Sequence, residues 1–261
     1  MIEAMKKILA FVLLTVFSYS LLAQEQWSTI QAASGNGPIP IFSIDRDDAI
    51  ATVVLLPGGP FTIGNKSADT GRPDGINFLV RTVGQFSSEK LNVVLMGKPP
   101  RAGDLWNGRS RESDDHGSDV MQVVEFAKEL KKPVWLIGTS LGAISAVNTA
   151  LIDKRAVLSG IVLSSMTFRA NKNSGVLSMD VEKLTIPILI SGHEKDECPG
   201  SNPKLIDELK AKLTSSKKVG VAMISSGNNP TGKPCGPNHW HGYINAEAEA
   251  VRSIADFIRS N

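Results

Sequence analysis

The stretch GTSLG at residues 138–142 decides the fold. It follows a short apolar run at 133–137 and opens a segment of small and apolar residues at 141–151. This order predicts a buried strand, a sharp turn and a helix. A serine at the tip of such a turn has a strained backbone, and the residues two before and two after it must be small because they come very close to each other. The two glycines meet that requirement, and the free N–H groups of the following helix point towards the serine.

Strand and helix patterns alternate along the chain. Continuous apolar runs predict strands, and apolar residues at helical spacing predict helices. The predicted strands are 27–31, 39–44, 49–56, 91–96, 133–137, 156–163, 186–190 and 218–224, and the predicted helices are 76–86, 120–130, 141–151, 205–213 and 244–258. The first two strands are candidates for the edge of the sheet, and the other six are predicted to be buried. We therefore predict an α/β fold with a mostly parallel eight-stranded sheet covered by helices on both faces.

Two segments between these elements bear on access to a site. The polar segment 97–117 is predicted to be a long loop, and its Trp106 is a candidate for the entrance. About twenty residues, 164–185, separate two late strands. That length leaves room for a short flap and predicts no large cap domain.

The first 23 residues have the pattern of a secretory signal peptide. Lys6 and Lys7 precede a continuous apolar run at 8–17, and a short segment then leads to Ala23. The apolar run is too short to be a comfortable transmembrane span. We expect cleavage near Ala23, export to the periplasm or beyond, no stable membrane anchor after cleavage, and a single domain at 24–261.

The formal net charge of +2 and the absence of a block of basic residues in the sequence argue against nucleic acid as a partner. Arg101, Arg109 and Arg111 gather in the segment 97–117. The simplest interpretation is a solvated loop, although an anionic group of a substrate could bind there.

The GTSLG stretch resembles the nucleophile elbow of the α/β-hydrolase superfamily. The resemblance covers nearly the whole exported chain, from the third predicted strand to the last helix, and eight strands match the usual number of that fold. It implies that Ser140 is the nucleophile and that an acid and then a histidine follow it along the chain. It implies no metal and no cofactor.

The acid and the base are expected on loops that leave the sheet after late strands. Asp196 follows the strand 186–190 on a loop that begins with glycine, which resembles the acid loop of the superfamily; Glu194 and Glu197 are alternatives. His241 lies between the last strand and the last helix, where the superfamily has its histidine. His239 is the alternative base, and we favour His241 because a glycine follows it and lets the loop turn.

A metal site is an alternative interpretation of the same loops. His193, Asp196, His239 and His241 are of ligand types that could converge on one ion. No tight motif fixes their spacing, and the predicted triad already accounts for two of them.

An acyl-transfer site also needs N–H donors for the negative oxygen of the intermediate. The resemblance implies the N–H of Leu141 as one donor. The second is expected on the loop LPGGPF at 56–61, which resembles the His-Gly loop of the superfamily with proline in the place of histidine. Proline has no N–H, so Gly59 is our first choice and Phe61 the alternative.

The only two cysteines of the chain, Cys198 and Cys235, lie in the exported part, where a disulfide can persist. Cys198 is on the expected acid loop and Cys235 precedes His241. A bond between them would close a loop of about 38 residues and stabilise the fold by roughly 3–4 kcal/mol. It would also tie the aspartate loop to the histidine loop, and comparable cysteine pairs occur in some exported bacterial hydrolases that this chain resembles.

The sequence thus predicts an exported serine hydrolase that cleaves an ester or a related acyl bond through Ser140, His241 and Asp196. The substrate is expected to be a small molecule or an acyl group attached to a polymer. Two alternatives remain at this point: a peptidase or acyltransferase that uses the same triad, and a catalytically inactive binding protein on the hydrolase fold.

Overall fold

A computed structural model describes residues 23–171 and 173–261 of the chain. The signal-peptide prediction concerns residues 1–23, and all of these except Ala23 lie outside the described residues. Within the described residues, no helix combines the length and the apolar character that a membrane crossing requires.

One mixed sheet organises the described chain. Its strands are β1 (Gln24–Gln31), β2 (Pro38–Asp45), β3 (Ala51–Leu56), β4 (Leu91–Met96), β5 (Val134–Thr139), β6 (Leu158–Ser164), β7 (Ile188–His193) and β8 (Val219–Ile224). They lie in the order β1-β2-β4-β3-β5-β6-β7-β8. The pairs β1–β2 and β2–β4 are antiparallel, and all other neighbours are parallel. The predicted eight-stranded, mostly parallel sheet is confirmed.

Helices cover both faces of this sheet. They are α1 (Phe78–Arg81), α2 (Val83–Ser88), α3 (Gly108–Arg111), α4 (Asp114–Lys128), α5 (Gly142–Ile152), α6 (Ile206–Lys212) and α7 (Glu247–Arg259). Two apolar clusters result, one beneath α4, α5 and α6 and one beneath α1, α2 and α7. The strands β3, β4 and β5 are buried along their whole length between the two clusters, which explains their continuous apolar sequence.

The segment between β6 and β7 is short, as predicted. Within the described residues, the helical structure of this segment consists of two 3-10 turns, Val176–Ser178 and Val181–Lys183. No cap domain is present in the described part of this segment.

The predicted helix 76–86 is wrong as one continuous element. Asn77 caps α1 by accepting a hydrogen bond from the N–H of Leu79 (3.0 Å), which leaves Ile76 outside the helix and 63% exposed. Thr82 then separates α1 from α2, and its hydroxyl donates to the carbonyl of Phe78 (2.6 Å). A side chain that hydrogen bonds the preceding turn in this way commonly bends or interrupts a helix.

The predicted loop 97–117 is also partly wrong, because it contains α3 and the start of α4. Asn107 and Ser113 cap these helices: their side-chain oxygens accept hydrogen bonds from the N–H groups of Arg109 (3.0 Å) and His116 (3.2 Å). Polar residues that looked like loop residues are therefore helix caps.

Two edge assignments need correction. The strand β2 lies between β1 and β4, so only β1 is at that edge of the sheet. The strand β8 was predicted to be buried but forms the opposite edge, with Val221 41% exposed. An edge strand has one neighbour fewer, and apolar composition alone does not reveal this.

The last helix begins at Glu247 and not near Ile244, because Tyr243 and Asn245 have positive φ angles of 58°.

We predict that Trp135→Ala lowers the free energy of unfolding by about 3–5 kcal/mol. The Trp135 ring is 1% exposed, lies edge-on to Phe257 at 5.9 Å between ring centres, and occupies the space next to Gly160. Trp106→Ala is the matched control, because this ring is 63% exposed and its loss should cost under about 0.5 kcal/mol. Urea unfolding of both variants is the measurement. Equal losses would contradict this account of the core.

Candidate active site

The carboxyl end of β5 carries Ser140 on a sharp turn into α5. Ser140 has a φ angle of +55°, in the left-handed region that is strained for residues with a side chain. A Cβ atom at Gly138 would lie 2.2 Å from the carbonyl oxygen of Gly142, and one at Gly142 would lie 2.0 Å from that of Leu56. Both glycines are therefore required, and the turn has the geometry that the sequence predicts.

His241 and Asp196 form a buried pair. The Nδ1 atom of His241 lies 2.8 Å from Oδ2 of Asp196, and the two residues are 6% and 7% exposed. An ionised carboxylate only accepts, so Nδ1 donates; in a neutral imidazole with its hydrogen on Nδ1, the lone pair is on Nε2. The other carboxylate oxygen of Asp196 accepts the N–H of Cys198 (2.9 Å). Each of the two carboxylate oxygens thus has a donor.

Ser140 and His241 line the same cavity, which has a volume of about 540 Å³. In the described chain, the Ser140 hydroxyl makes no direct hydrogen bond to the His241 ring; such contacts are often long before substrate binds. The cavity is lined by Gly58, Gly59, Pro60, Thr62, Gly64, Asp74, Gly75, Ile76, Asn77, Phe78, Trp106, Thr139, Ser140, Cys235, Pro237, His241 and Gly242. The sequence-based candidates Ser140, His241, Gly59 and Trp106 all border it.

Two backbone N–H groups near Ser140 have no hydrogen-bond acceptor within the described part of the chain. Among the described residues, the N–H groups of Leu141 and Gly59 donate to no protein acceptor. The loop that carries Gly59 touches the serine, because a Cβ atom at Gly58 would lie 2.7 Å from Cβ of Ser140. The N–H of Phe61 instead donates to the carbonyl of Gly58 (3.3 Å). Of the two predicted alternatives, only Gly59 has a free donor.

The alternative base and acids lie elsewhere. His239 does not line the cavity; its Nδ1 atom is buried without a partner in the described residues, and Nε2 is 4.0 Å from Glu197. Glu194 and Glu197 are exposed, whereas Asp196 bonds the histidine that lines the cavity. The geometry favours His241 over His239 and Asp196 over the two glutamates.

The four residues of the alternative metal site do not converge. His193 donates from Nε2 to the carbonyl of Ser226 (2.8 Å) and accepts the N–H of Lys195 at Nδ1 (3.0 Å). Its ring stacks on Trp240 with 4.6 Å between ring centres. Among the described residues, no group of three or more His, Cys, Asp or Glu side chains could hold a metal ion.

A disulfide joins Cys198 to Cys235, with 4.6 Å between their Cα atoms. Cys198 is the residue whose N–H holds the Asp196 carboxylate, and Cys235 lines the cavity. The bond therefore connects the loop that bears Asp196 with the loop that bears His241, as the sequence placement of the two cysteines suggested.

Arg111 was grouped with Arg101 and Arg109 as part of a solvated loop, and for Arg111 this was wrong. Its side chain is fully buried, and burial lowers its pKa to about 9, so it is charged at neutral pH. Nearby His116 is also buried, and burial together with the charge of Arg111 lowers its pKa to about 3. Neither residue lines the cavity. Spacing and composition do not distinguish Arg111 from its exposed neighbours.

We predict that replacing both cysteines, Cys198→Ser with Cys235→Ser, lowers the free energy of unfolding by about 2–4 kcal/mol, because the unfolded chain gains the freedom of a loop closed over a sequence separation of 37. Urea unfolding of wild type and variant under non-reducing conditions measures this. A count of free thiols in unreduced, denatured wild type is the control and should find none. Two titratable thiols would contradict the disulfide.

Solved α/β-hydrolase structures align with most of this chain. A serine hydrolase without a lid from Xanthomonas campestris is 12% identical, with a TM-score of 0.60 over 91% of this chain and 94% of that chain. An esterase from Pyrococcus furiosus is 13% identical, with a TM-score of 0.66 over 91% of each chain. A dienelactone hydrolase from Anabaena variabilis is 11% identical, with a TM-score of 0.56 over 91% of this chain and 98% of that chain.

No protein-family model and no curated protein sequence matches the chain. Sequence identities of 11–13% show that these proteins share a fold with this chain and nothing finer. The strand order, the turn at Ser140 and these structural similarities lead to one conclusion: the chain has the α/β-hydrolase fold.

Proposed function

We propose that the protein is a serine hydrolase that cleaves an ester or a related acyl bond. The observation that carries the proposal is the 2.8 Å hydrogen bond between His241 and Asp196, together with the cavity that His241 lines with the strained Ser140. A serine hydroxyl needs a base, and that base needs an acid that fixes its tautomer. The three residues have the chemical types and the chain order that this chemistry uses.

In the first step, Oγ of Ser140 attacks the carbonyl carbon and its proton passes to Nε2 of His241. The electron pair of the carbonyl double bond moves to oxygen, and the N–H groups of Leu141 and Gly59 stabilise the resulting negative charge. Asp196 stabilises the imidazolium that forms. When the carbonyl double bond re-forms, the bond to the leaving oxygen breaks, and His241 returns the proton to that oxygen.

The second step releases the acyl group from Ser140. A water molecule gives a proton to Nε2 of His241 and attacks the acyl carbon. The tetrahedral intermediate then collapses, the bond to Oγ breaks, and the serine regains its proton from His241. The products are a carboxylic acid and free enzyme, and neither step requires an added cofactor.

The lining of the cavity supports an uncharged substrate with an apolar part. Ile76 and Trp106 are each 63% exposed and border the cavity, as does buried Phe78. Apart from His241, the only charged type among the lining residues is Asp74. A carboxylate or phosphate on the substrate would find no cation there and would be repelled by Asp74. We propose an uncharged ester of modest size as the substrate class, consistent with the name of the Pyrococcus furiosus esterase that shares the fold.

We also propose that the protein is exported. Support comes from the signal-peptide pattern of residues 1–23 and from the disulfide Cys198–Cys235, since disulfides persist in oxidising compartments. A protein cleaved near Ala23 would then act as the single domain 24–261.

We predict that a fluorophosphonate probe labels the wild-type protein, and that Ser140→Ala and His241→Ala abolish the labelling. The first variant removes the attacking oxygen and the second removes the base that activates it. Both should lose about 10⁴-fold or more in kcat for 4-nitrophenyl butyrate. Gel fluorescence of the probe and release of nitrophenol are the two measurements.

His239→Ala is the matched control, because it removes the neighbouring histidine and should keep labelling and turnover. Labelling of Ser140→Ala would rule out the proposed nucleophile. A folded wild type that stays unlabelled would favour the inactive binding protein. Cleavage of peptides but not of esters would favour the peptidase, and transfer to added alcohol in preference to water would favour the acyltransferase.

We predict that the enzyme prefers a neutral ester to one with a carboxylate on its acyl chain, and that Asp74→Asn reduces this preference by about 3- to 10-fold. The side chain of Asp74 accepts a hydrogen bond from the N–H of Asn65 (2.6 Å), which an asparagine oxygen can also accept. The measurement is kcat/KM for 4-nitrophenyl butyrate and mono-4-nitrophenyl succinate. Asp69→Asn, an exposed change outside the cavity, is the control. An unchanged ratio in Asp74→Asn would contradict the charge argument.

A further inference from the structure

Arg111 has a buried guanidinium that contacts the loop bearing Gly59, the helix α5 and Leu105. Nε donates to the carbonyl of Leu105 (2.8 Å), and Nη2 donates to the carbonyl of Gly59 (2.6 Å). Nη1 donates to the carbonyl of Pro57 (3.1 Å) and to the hydroxyl of Ser145 (3.2 Å). Within the described residues, no carboxylate pairs with this cation.

Two of these contacts bracket a single peptide group. The carbonyl of Pro57 belongs to the peptide before Gly58, and the carbonyl of Gly59 belongs to the peptide after Gly59. Between them lies the Gly58–Gly59 peptide, which carries the unclaimed N–H of Gly59. Gly59 has a φ angle of +58°, and glycine can adopt many backbone conformations. Because Arg111 holds the carbonyls of the peptide groups before and after it, the Gly58–Gly59 peptide is restricted in the direction of its N–H.

The remaining contacts connect the glycine loop (residues 56–61) to the two elements beside it. Ser145 lies on α5, one helical turn after Leu141, which carries the other unclaimed N–H. Leu105 precedes Trp106, whose ring lies next to Gly59, 3.3 Å from where a Cβ atom on that glycine would be, and lines the cavity. One guanidinium therefore links the glycine loop, the helix that follows the nucleophile and the cavity wall formed by Trp106.

We propose that Arg111 is a positioning residue that orients the N–H of Gly59 towards the oxyanion and holds it in register with the N–H of Leu141. The proposal rests on the proposed function. Arg111 itself does not line the cavity and touches no reacting atom.

The chemistry of arginine suits this task. Its planar fork presents several N–H donors in fixed directions, so one side chain can reach several carbonyls at once, whereas a lysine ammonium is a compact charge on a flexible stem. The ring of Phe61 lies under the guanidinium, 4.8 Å from its carbon to the ring centre, and adds a cation–π contact. The hydroxyl of Ser145 accepts from Arg111 and lies 2.8 Å from Nε2 of His116, to which its own hydrogen can be donated.

The test compares Arg111→Met and Arg111→Lys with Arg109→Met. Arg109 is exposed and lies two residues away on the same helix, so it is a matched control for the loss of a charge from α3. With 4-nitrophenyl butyrate as substrate, we expect Arg111→Met to lose about 10²–10³-fold in kcat, as when one oxyanion donor is removed. KM should change by less than about 3-fold, because the N–H of Gly59 acts mainly on the intermediate. Arg111→Lys should recover little, and Arg109→Met should behave as wild type.

A second readout follows the donor itself. When a fluorophosphonate forms its adduct on Ser140, the amide resonance of Gly59 should shift strongly in wild type and much less in Arg111→Lys. A purely structural role would lower the melting temperature but leave kcat and this amide shift unchanged in the folded fraction. That outcome would overturn the proposal.

The remaining outcomes distinguish a failure of the positioning role from a failure of the proposed function. If Arg111→Met and Arg111→Lys do not fold, Ser145→Ala removes the link from Arg111 to α5 together with the hydrogen bond to His116, and we expect a loss of about 3- to 10-fold in kcat; an unchanged kcat would overturn the positioning role. If wild type neither turns over nor labels, the proposed function has failed, and the positioning role fails with it. Wild-type turnover with an unaffected Arg111→Met would refute the positioning role alone.

Discussion

The site depends on one close approach of backbone, the contact of Gly142 with the end of β3. A Cβ atom at residue 142 would collide with the carbonyl oxygen of Leu56, and one at residue 138 would collide with residue 142 itself. Because neither atom exists, α5 can begin immediately behind the central strand β5, and Ser140 is held in its left-handed conformation at the edge of the sheet. The strain at this one residue is offset by the burial of α5 and of the strands around it.

The rest of the candidate site comes to Ser140 from loops at the same edge of the sheet. Parallel strands end together, so the loops after β3, β7 and β8 meet there even though they are far apart along the chain. The disulfide between the last two loops adds a covalent constraint beside the His241–Asp196 hydrogen bond. Cys198 has a part in both, since its sulfur forms the bridge and its N–H holds the carboxylate.

The loop that bears Gly59 has no such covalent constraint and is instead restrained by hydrogen bonds from the buried guanidinium of Arg111. An arginine without a carboxylate partner is costly to bury unless its donors are satisfied, and here carbonyls from the glycine loop and from Leu105 satisfy them, together with the hydroxyl of Ser145. The same hydrogen bonds that make the burial tolerable restrain the loop. The low pKa of His116 is part of this arrangement: burial is its main cause, and the positive charge of Arg111 lowers it further.

The sequence by itself determined the class of sheet and the turn at Ser140, because these rest on local rules: apolar runs for buried strands and small residues around a strained serine. Gly59, Asp196 and His241 could be chosen because their loops resemble those of the superfamily, and the cysteine pair because the sequence has only two cysteines. Only the tertiary structure decided which strand lies at the edge, that Ile76 and Trp106 border the cavity, and that Arg111 is buried while Arg109 is exposed. Those properties depend on what packs against a residue from distant parts of the chain, and neither composition nor spacing contains that information.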